Sequence, residues 1–237
     1  SVGNSWQWQP HNQYHVKAGA RGLSWTGAQP ESTSDYRNRI DTVKQPYVSH
    51  ETGQWCAFPN FNEIRKYTGV NKAKNFEIFR DILNDNHMGG MGHDFMMASG
   101  KLQAICYKHE IEKTLRTPDY AGFQLLALND YSGQGTALVG VLDVFFEEKG
   151  YINAEQFRRF CSPTVPLARI PKFVYANDET FHADIEVSHF GAAPLQGAKT
   201  SYTIKDKFGK VYAKGTVDTQ TIPIGNLCAL GSVDMNC

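Results

Sequence analysis

PYVSHETGQWC (Pro46 to Cys56) sets the reading of the whole chain. PYVS is a short apolar run opened by a proline. A glutamate between His50 and Thr52 follows, and Gly53 comes next. That is the profile of a strand ending in a turn with a carboxylate at its tip. Chemistry in α/β enzymes is placed at C-terminal strand ends, so Glu51 is the first candidate for a functional role. The alternative is a capping or solvated glutamate.

Downstream of this strand, Asn60 with Glu63 three residues later is a capping pattern for a short helix. NFEIFRDILNDN puts Phe76, Phe79, Ile82 and Leu83 on one face, which predicts an amphipathic helix. Residues 92–116 predict a longer helix with Phe95, Ala98, Leu102 and Ile105 as its first apolar stripe and Ile111 and Leu115 continuing it. Thr117-Pro118 ends it. FQLLAL is a continuous apolar run of buried-strand type with Asn129 and Asp130 beyond it. AEQFRRF, capped by Asn153, predicts another helix. The order strand, helices, strand, helix over 46–160 suits part of a parallel α/β assembly.

From about residue 172 the texture changes. TFHADIEVSHF alternates, with Phe181, Ala183, Ile185 and Val187 on one side. AKTSYTIKD and KVYAKGTVD follow, joined at Lys207-Phe208-Gly209. This is a β-sandwich signature, but too few strands are visible to complete one. Residues 1–44 are polar and aromatic and read as long loops with turns. Trp6, Trp8, Tyr14, Trp25 and Tyr36 either line a pocket or pin those loops to the body. With two convincing strands in the α/β part, either the first 40 residues hide strands or the chain is a piece of a longer protein.

Composition narrows the partners. Lys plus Arg equals Asp plus Glu at 24 each in 237 residues, so no broad basic face is implied and nucleic acid is a poor partner. No apolar stretch reaches membrane-spanning length, and no phosphate-cradling glycine motif opens a helix. Five cysteines at irregular spacing form no zinc-type pair. Cys56, Cys106 and Cys161 read as small core residues, while Cys228 and Cys237 are either paired or free. His11, His15 and His93 show no ligand spacing, so neither a metal nor a cofactor is expected.

PYVSHETGQWCAFPNFNEIRKYTG, KNFEIFRDIL, the run from His93 to Asp143 and FCSPTVPLAR together resemble the catalytic-domain end of glycoside hydrolase family 2-like proteins, relatives of β-galactosidases and β-glucuronidases. The resemblance covers roughly residues 40–170. It implies the C-terminal part of a (β/α)8 barrel over residues 1–170, then an incomplete immunoglobulin-like β-sandwich over 171–237. It also implies a retaining glycosidase with Glu51 as nucleophile on the seventh strand. GFQLLALND would be the eighth strand, carrying Asn129 and Asp130 toward the sugar. The acid/base glutamate would lie upstream of residue 1, because Asn62-Glu63 falls after Glu51 and inside a helix. A carbohydrate substrate and a bacterial periplasmic or secreted location are implied by the same resemblance.

A retaining glycosidase needs two carboxyls about 5–5.5 Å apart, and only one has a plausible place here. The chain alone is therefore expected to be inactive. His50 would hold Glu51, and Gln54 and Trp55 would contact substrate, although Trp55 could equally be core. Asn129 and Asp130 would bind sugar hydroxyls, or Asp130 would cap the following loop. Two other classes compete: a non-catalytic carbohydrate-binding protein on the same scaffold, and an interaction module built on the terminal strands. Self-association is expected to cover apolar faces left open by missing strands.

Overall fold

The computed structural model describes residues 15–17, 28–44, 46–131 and 137–237. Trp6, Trp8, Tyr14, Trp25, His11 and the glycine-rich stretch after Tyr131 lie outside the described residues, as does the His15 side chain. The described residues fall into two compact units with interleaved chain segments. The first comprises 15–17, 46–110, 121–131 and 137–158, and the second 28–44, 111–120 and 159–237.

In the first unit, β1 (His15–Lys17) pairs in parallel with β2 (Tyr47–Thr52), and β3 (Tyr120–Leu125) flanks β2 on its other side. A 3₁₀ helix (Phe61–Lys66) follows β2. Its cap is the Asn60 side chain, which accepts from the backbone N–H of Asn62. Next come α2 (Lys74–Asp85) and α3 (Gly92–Leu115), which runs on into the second unit. Phe76 and Leu83 of α2 are buried as the pattern predicts, but Ile82 is half exposed.

The face of α3 differs from the predicted stripe. Leu102 and Ile105 are 57% and 50% exposed. The buried face instead carries Met96, Gly100, Gln103, Cys106, Tyr107 and Glu110. The partners of Gln103 and Tyr107 explain the rotation. Gln103 Nε2 donates to the carbonyls of Trp55 (2.5 Å) and Leu138 (3.0 Å), while its Oε1 accepts from the Tyr151 hydroxyl. Tyr107 donates its hydroxyl to the Val139 carbonyl at 2.6 Å. Satisfying the loop carbonyls of Trp55 and Val139 outweighs burying Leu102 and Ile105, because an unpaired buried carbonyl costs about 1–3 kcal/mol.

The second unit takes α1 (Arg37–Ile40) and most of the antiparallel structure: β4 (Thr164–Arg169), β5 (Thr180–His189), β6 (Leu195–Lys205), β7 (Val211–Ile222) and β8 (Gly225–Asn236). One sheet has the order β4-β5-β8, and β6 and β7 form another. Val187, Ile222 and Leu230 form an apolar cluster with Ile185, Ala198, Val217 and Cys228 packed against it. The β6–β7 turn is set by Asp206, whose Oδ1 accepts from the backbone N–H of Phe208 and Lys210. Gly209 takes the left-handed φ of +89° there. Arg169 links the strands to the preceding chain, donating to Glu186 and to the carbonyls of Thr33 and Arg116.

These sheets overturn the expected fold class. Among the described residues no sheet closes, and the small open sheets are not a portion of a (β/α)8 barrel followed by an immunoglobulin-like sandwich. Only the β1–β2 pairing is parallel among the paired strands of known register. A barrel requires strands tilted and staggered into a continuous hydrogen-bonded ring, and β1-β2-β3 ends after three. The cysteine readings also change. All five are free, and Cys56 is exposed rather than in the core. No helix among the described residues is long and apolar enough to cross a membrane.

Candidate functional site

β2 ends as the sequence predicts, with Glu51 and Thr52 as its last residues and a turn at Gly53. Two backbone features sharpen that end. Gly53 has φ +105°, and Glu51 itself has φ +57°. A non-glycine residue in the left-handed region costs about 1–3 kcal/mol and persists only where its surroundings hold it. Here the next residue is anchored on both sides: the buried Thr52 accepts a hydrogen bond from Leu126 N–H at its carbonyl (3.0 Å) and donates its hydroxyl to Ser49 (3.1 Å).

The kink leaves the Glu51 side chain 34% exposed. Its two oxygens meet different neighbours. Oε2 accepts from Gln54 Nε2 at 3.2 Å, and Oε1 lies 3.7 Å from His50 Nε2. The other ring nitrogen of His50, Nδ1, is 2.9 Å from Gln124 Oε1 on β3. A carbonyl oxygen cannot donate, so this contact places the proton on Nδ1 and, for a neutral ring, leaves Nε2 as the acceptor. Sequence reasoning named His50, Glu51 and Gln54, and they do gather. Gln124, the second residue of the FQLLAL run, has no local signal that marks it.

Trp55 has a different partner. Its ring is partly buried, and its indole N–H donates to Glu110 Oε2 at 3.0 Å. Glu110 is a buried carboxylate of α3 that a hydrophobic-stripe reading could not single out.

Asn129 and Asp130 do not join this group. Asn129 turns its amide back onto the Asp130 carbonyl at 3.0 Å. Asp130 is buried, with Oδ2 2.6 Å from Lys149 Nζ and Oδ1 accepting from Gly140 N–H at 2.9 Å. Burial raises its pKa, and the Lys149 ammonium and Gly140 N–H oppose that rise only in part. An Asp engaged in this way organises the 129–149 region and offers no lone pair to solvent.

The retaining-glycosidase assignment is corrected on these grounds. It rested on a barrel bringing a second carboxyl opposite Glu51, and no closed barrel exists among the described residues. Comparison with known proteins points the same way. The family described as "Domain of unknown function (DUF8488)" matches residues 179–237, the stretch that carries β5 to β8. No curated protein matches the chain. The resemblance to glycoside hydrolase family 2 is therefore withdrawn, together with the hydrolase and barrel terms it brought.

Proposed function

We propose that the end of β2 is a non-catalytic recognition site for a hydroxyl-rich ligand, a sugar or polyol. The observation that carries this reading is the half-exposed Glu51 carboxylate, held out on a left-handed backbone between the side chains of His50 and Gln54. Such outliers concentrate at binding sites, where the strain serves placement. The chemistry fits vicinal hydroxyls, each of which both donates and accepts. The carboxylate accepts, and the Gln54 amide does both. The partly exposed Trp55 ring adds a flat apolar face of the kind sugars stack on.

Calorimetry with a panel of neutral mono- and oligosaccharides tests it. Glu51→Ala is expected to weaken binding roughly 10–100-fold, since a hydrogen bond to a charged group contributes about 1.5–3 kcal/mol. Gln54→Ala should lose less, and the ligand should be recovered intact. Equal affinity for the parent chain and Glu51→Ala would remove Glu51 from recognition.

Self-association is proposed separately, on the half-exposed Ile78 and Ile82 of α2 and Leu102 and Ile105 of α3. A second copy covering any of these side chains would raise the mass measured by light scattering with concentration. A constant monomer mass would end that proposal.

A further inference from the structure

The 3₁₀ helix after β2 carries a residue that the recognition site does not use. Glu63 is 1% exposed, and its Oε2 has no hydrogen-bond partner. Four charged side chains beside it, Lys66, Asp130, Asp143 and Lys149, are already engaged with one another or with Glu147. Lys66 Nζ bridges Asp143 Oδ2 (2.5 Å) and Glu147 Oε2 (2.7 Å). Lys149 Nζ pairs with Asp130 Oδ2 (2.6 Å) and donates to the Gly140 carbonyl (2.8 Å). Asp143 Oδ1 accepts from the backbone N–H of Phe145 (2.8 Å) and Glu147 (3.0 Å). Within this cluster two cations face Asp130, Asp143 and Glu147, so none is left over for an ionised Glu63.

We propose that Glu63 is a proton switch of the first unit: the packed form holds its carboxyl neutral, and loss of that proton loosens the cluster of Lys66, Asp130, Asp143 and Lys149. The electrostatics agree with the geometry. Burial first, then the Asp143 and Asp130 carboxylates, push the Glu63 carboxyl up to about 7, against the pull of Lys149 and Lys66. The remaining titratable neighbours are the phenols of Tyr67 and Tyr151. Both are themselves raised, by burial first and by Glu63 among the nearby carboxylates, and so stay neutral through this range. Asp143 moves the other way: burial would raise it, but Lys66 and the two backbone N–H groups hold it below the ordinary carboxylate value. It therefore remains an anion while Glu63 titrates.

The direction follows from proton linkage. Below the ordinary value of 4.5 both packed and loosened forms hold the Glu63 proton. Between 4.5 and about 7 the packed form holds a proton that the loosened form releases, so each pH unit favours opening about tenfold. Above about 7 neither form holds it and the effect levels off. The stabilisation is thus complete at acid pH and lost by neutrality.

Amide hydrogen exchange reads this directly at Gly140, Phe145 and Glu147, whose N–H groups bond to the cluster. Corrected for intrinsic exchange, their protection in the parent chain is expected to fall roughly 40-fold from pH 5 to pH 7 and to flatten above that. Glu63→Gln keeps the shape without the titration and should give a flat profile. The same fall in both proteins would overturn the proposal. If Glu63→Gln does not fold, the carbon-13 shift of the Glu63 carboxyl in the parent chain decides. A midpoint near 7 supports the switch and a midpoint below 5 overturns it.

Discussion

An alanine at Gly53 is expected to destabilise the chain by about 4 kcal/mol, a large share of the ~5–15 kcal/mol that holds a typical domain folded. Two independent costs combine. The backbone there has φ +105°, where an L side chain is strained by about 1–3 kcal/mol. An added Cβ would also lie 2.7 Å from Cζ of Tyr107 and closer still to its Cε1. The ring cannot yield cheaply. Tyr107 is fully buried on α3, and its hydroxyl is bonded to the Val139 carbonyl. Forced overlap of this kind costs about 1–3 kcal/mol more. Urea unfolding measures the sum as a lowered midpoint. Gly69→Ala is the control, since nothing lies within 4 Å of its added Cβ. A Gly53→Ala midpoint equal to that of Gly69→Ala would mean that the strand end is looser than described, and the placement of Glu51 would lose its basis.

Removing Lys149 should cost a similar amount by a different route. The Lys149 and Asp130 side chains are 3% and 1% exposed and 2.6 Å apart. Lys149→Met leaves an unmatched buried carboxylate, and breaking a buried pair in this way costs about 3–5 kcal/mol. The deficit should depend on pH. Burial already raises the Asp130 pKa, and without Lys149 it rises further. Protonation then relieves the uncompensated charge at acid pH, and the deficit deepens as pH rises. Asp130→Asn in the same chain keeps an acceptor for Gly140 N–H and removes the charge. The double variant should therefore recover more than half of the loss at neutral pH. A double variant as unstable as Lys149→Met would show that the cost is packing rather than charge.

The elements were more legible in the sequence than their arrangement. β2, α2, α3 and the alternation of β5 follow from local pattern, because apolar periodicity and turn residues act over a few positions. The β6–β7 turn was marked by Lys207-Phe208-Gly209, although Asp206 is the residue that fixes it. β8 was not recognised: GNLCALGSVDMN interrupts its apolar positions with two glycines and mixed polar residues, and Leu227 and Gly231 take positive φ within it. The face of α3 was misread because Gln103 and Glu110 are buried by partners far away in sequence, Trp55, Leu138 and Tyr151. A hydrophobic stripe contains no information about such bonds.

Fold class failed for a related reason. The family resemblance over residues 40–170 rests on local motifs, whereas closure of a sheet depends on pairings that no single strand encodes. The candidate site divides along the same line. His50, Glu51 and Gln54 are neighbours in sequence and meet in space, but Asp130 was grouped with them by analogy and lies in a buried ion pair. Glu63 was set aside as a helical residue, because nothing local shows that every cation near it is already engaged.

The proposed role of the β2 end is recognition of hydroxyl-rich ligands through Glu51. It is tested most directly by amide chemical-shift mapping of the intact chain during titration with neutral oligosaccharides. Saturable shifts are expected at His50, Glu51 and Gln54, together with the Gln124 side-chain amide that touches His50, and are expected to vanish in Glu51→Ala. Saturable shifts centred elsewhere, or no shifts at millimolar ligand in a chain whose spectrum is otherwise folded, would contradict it.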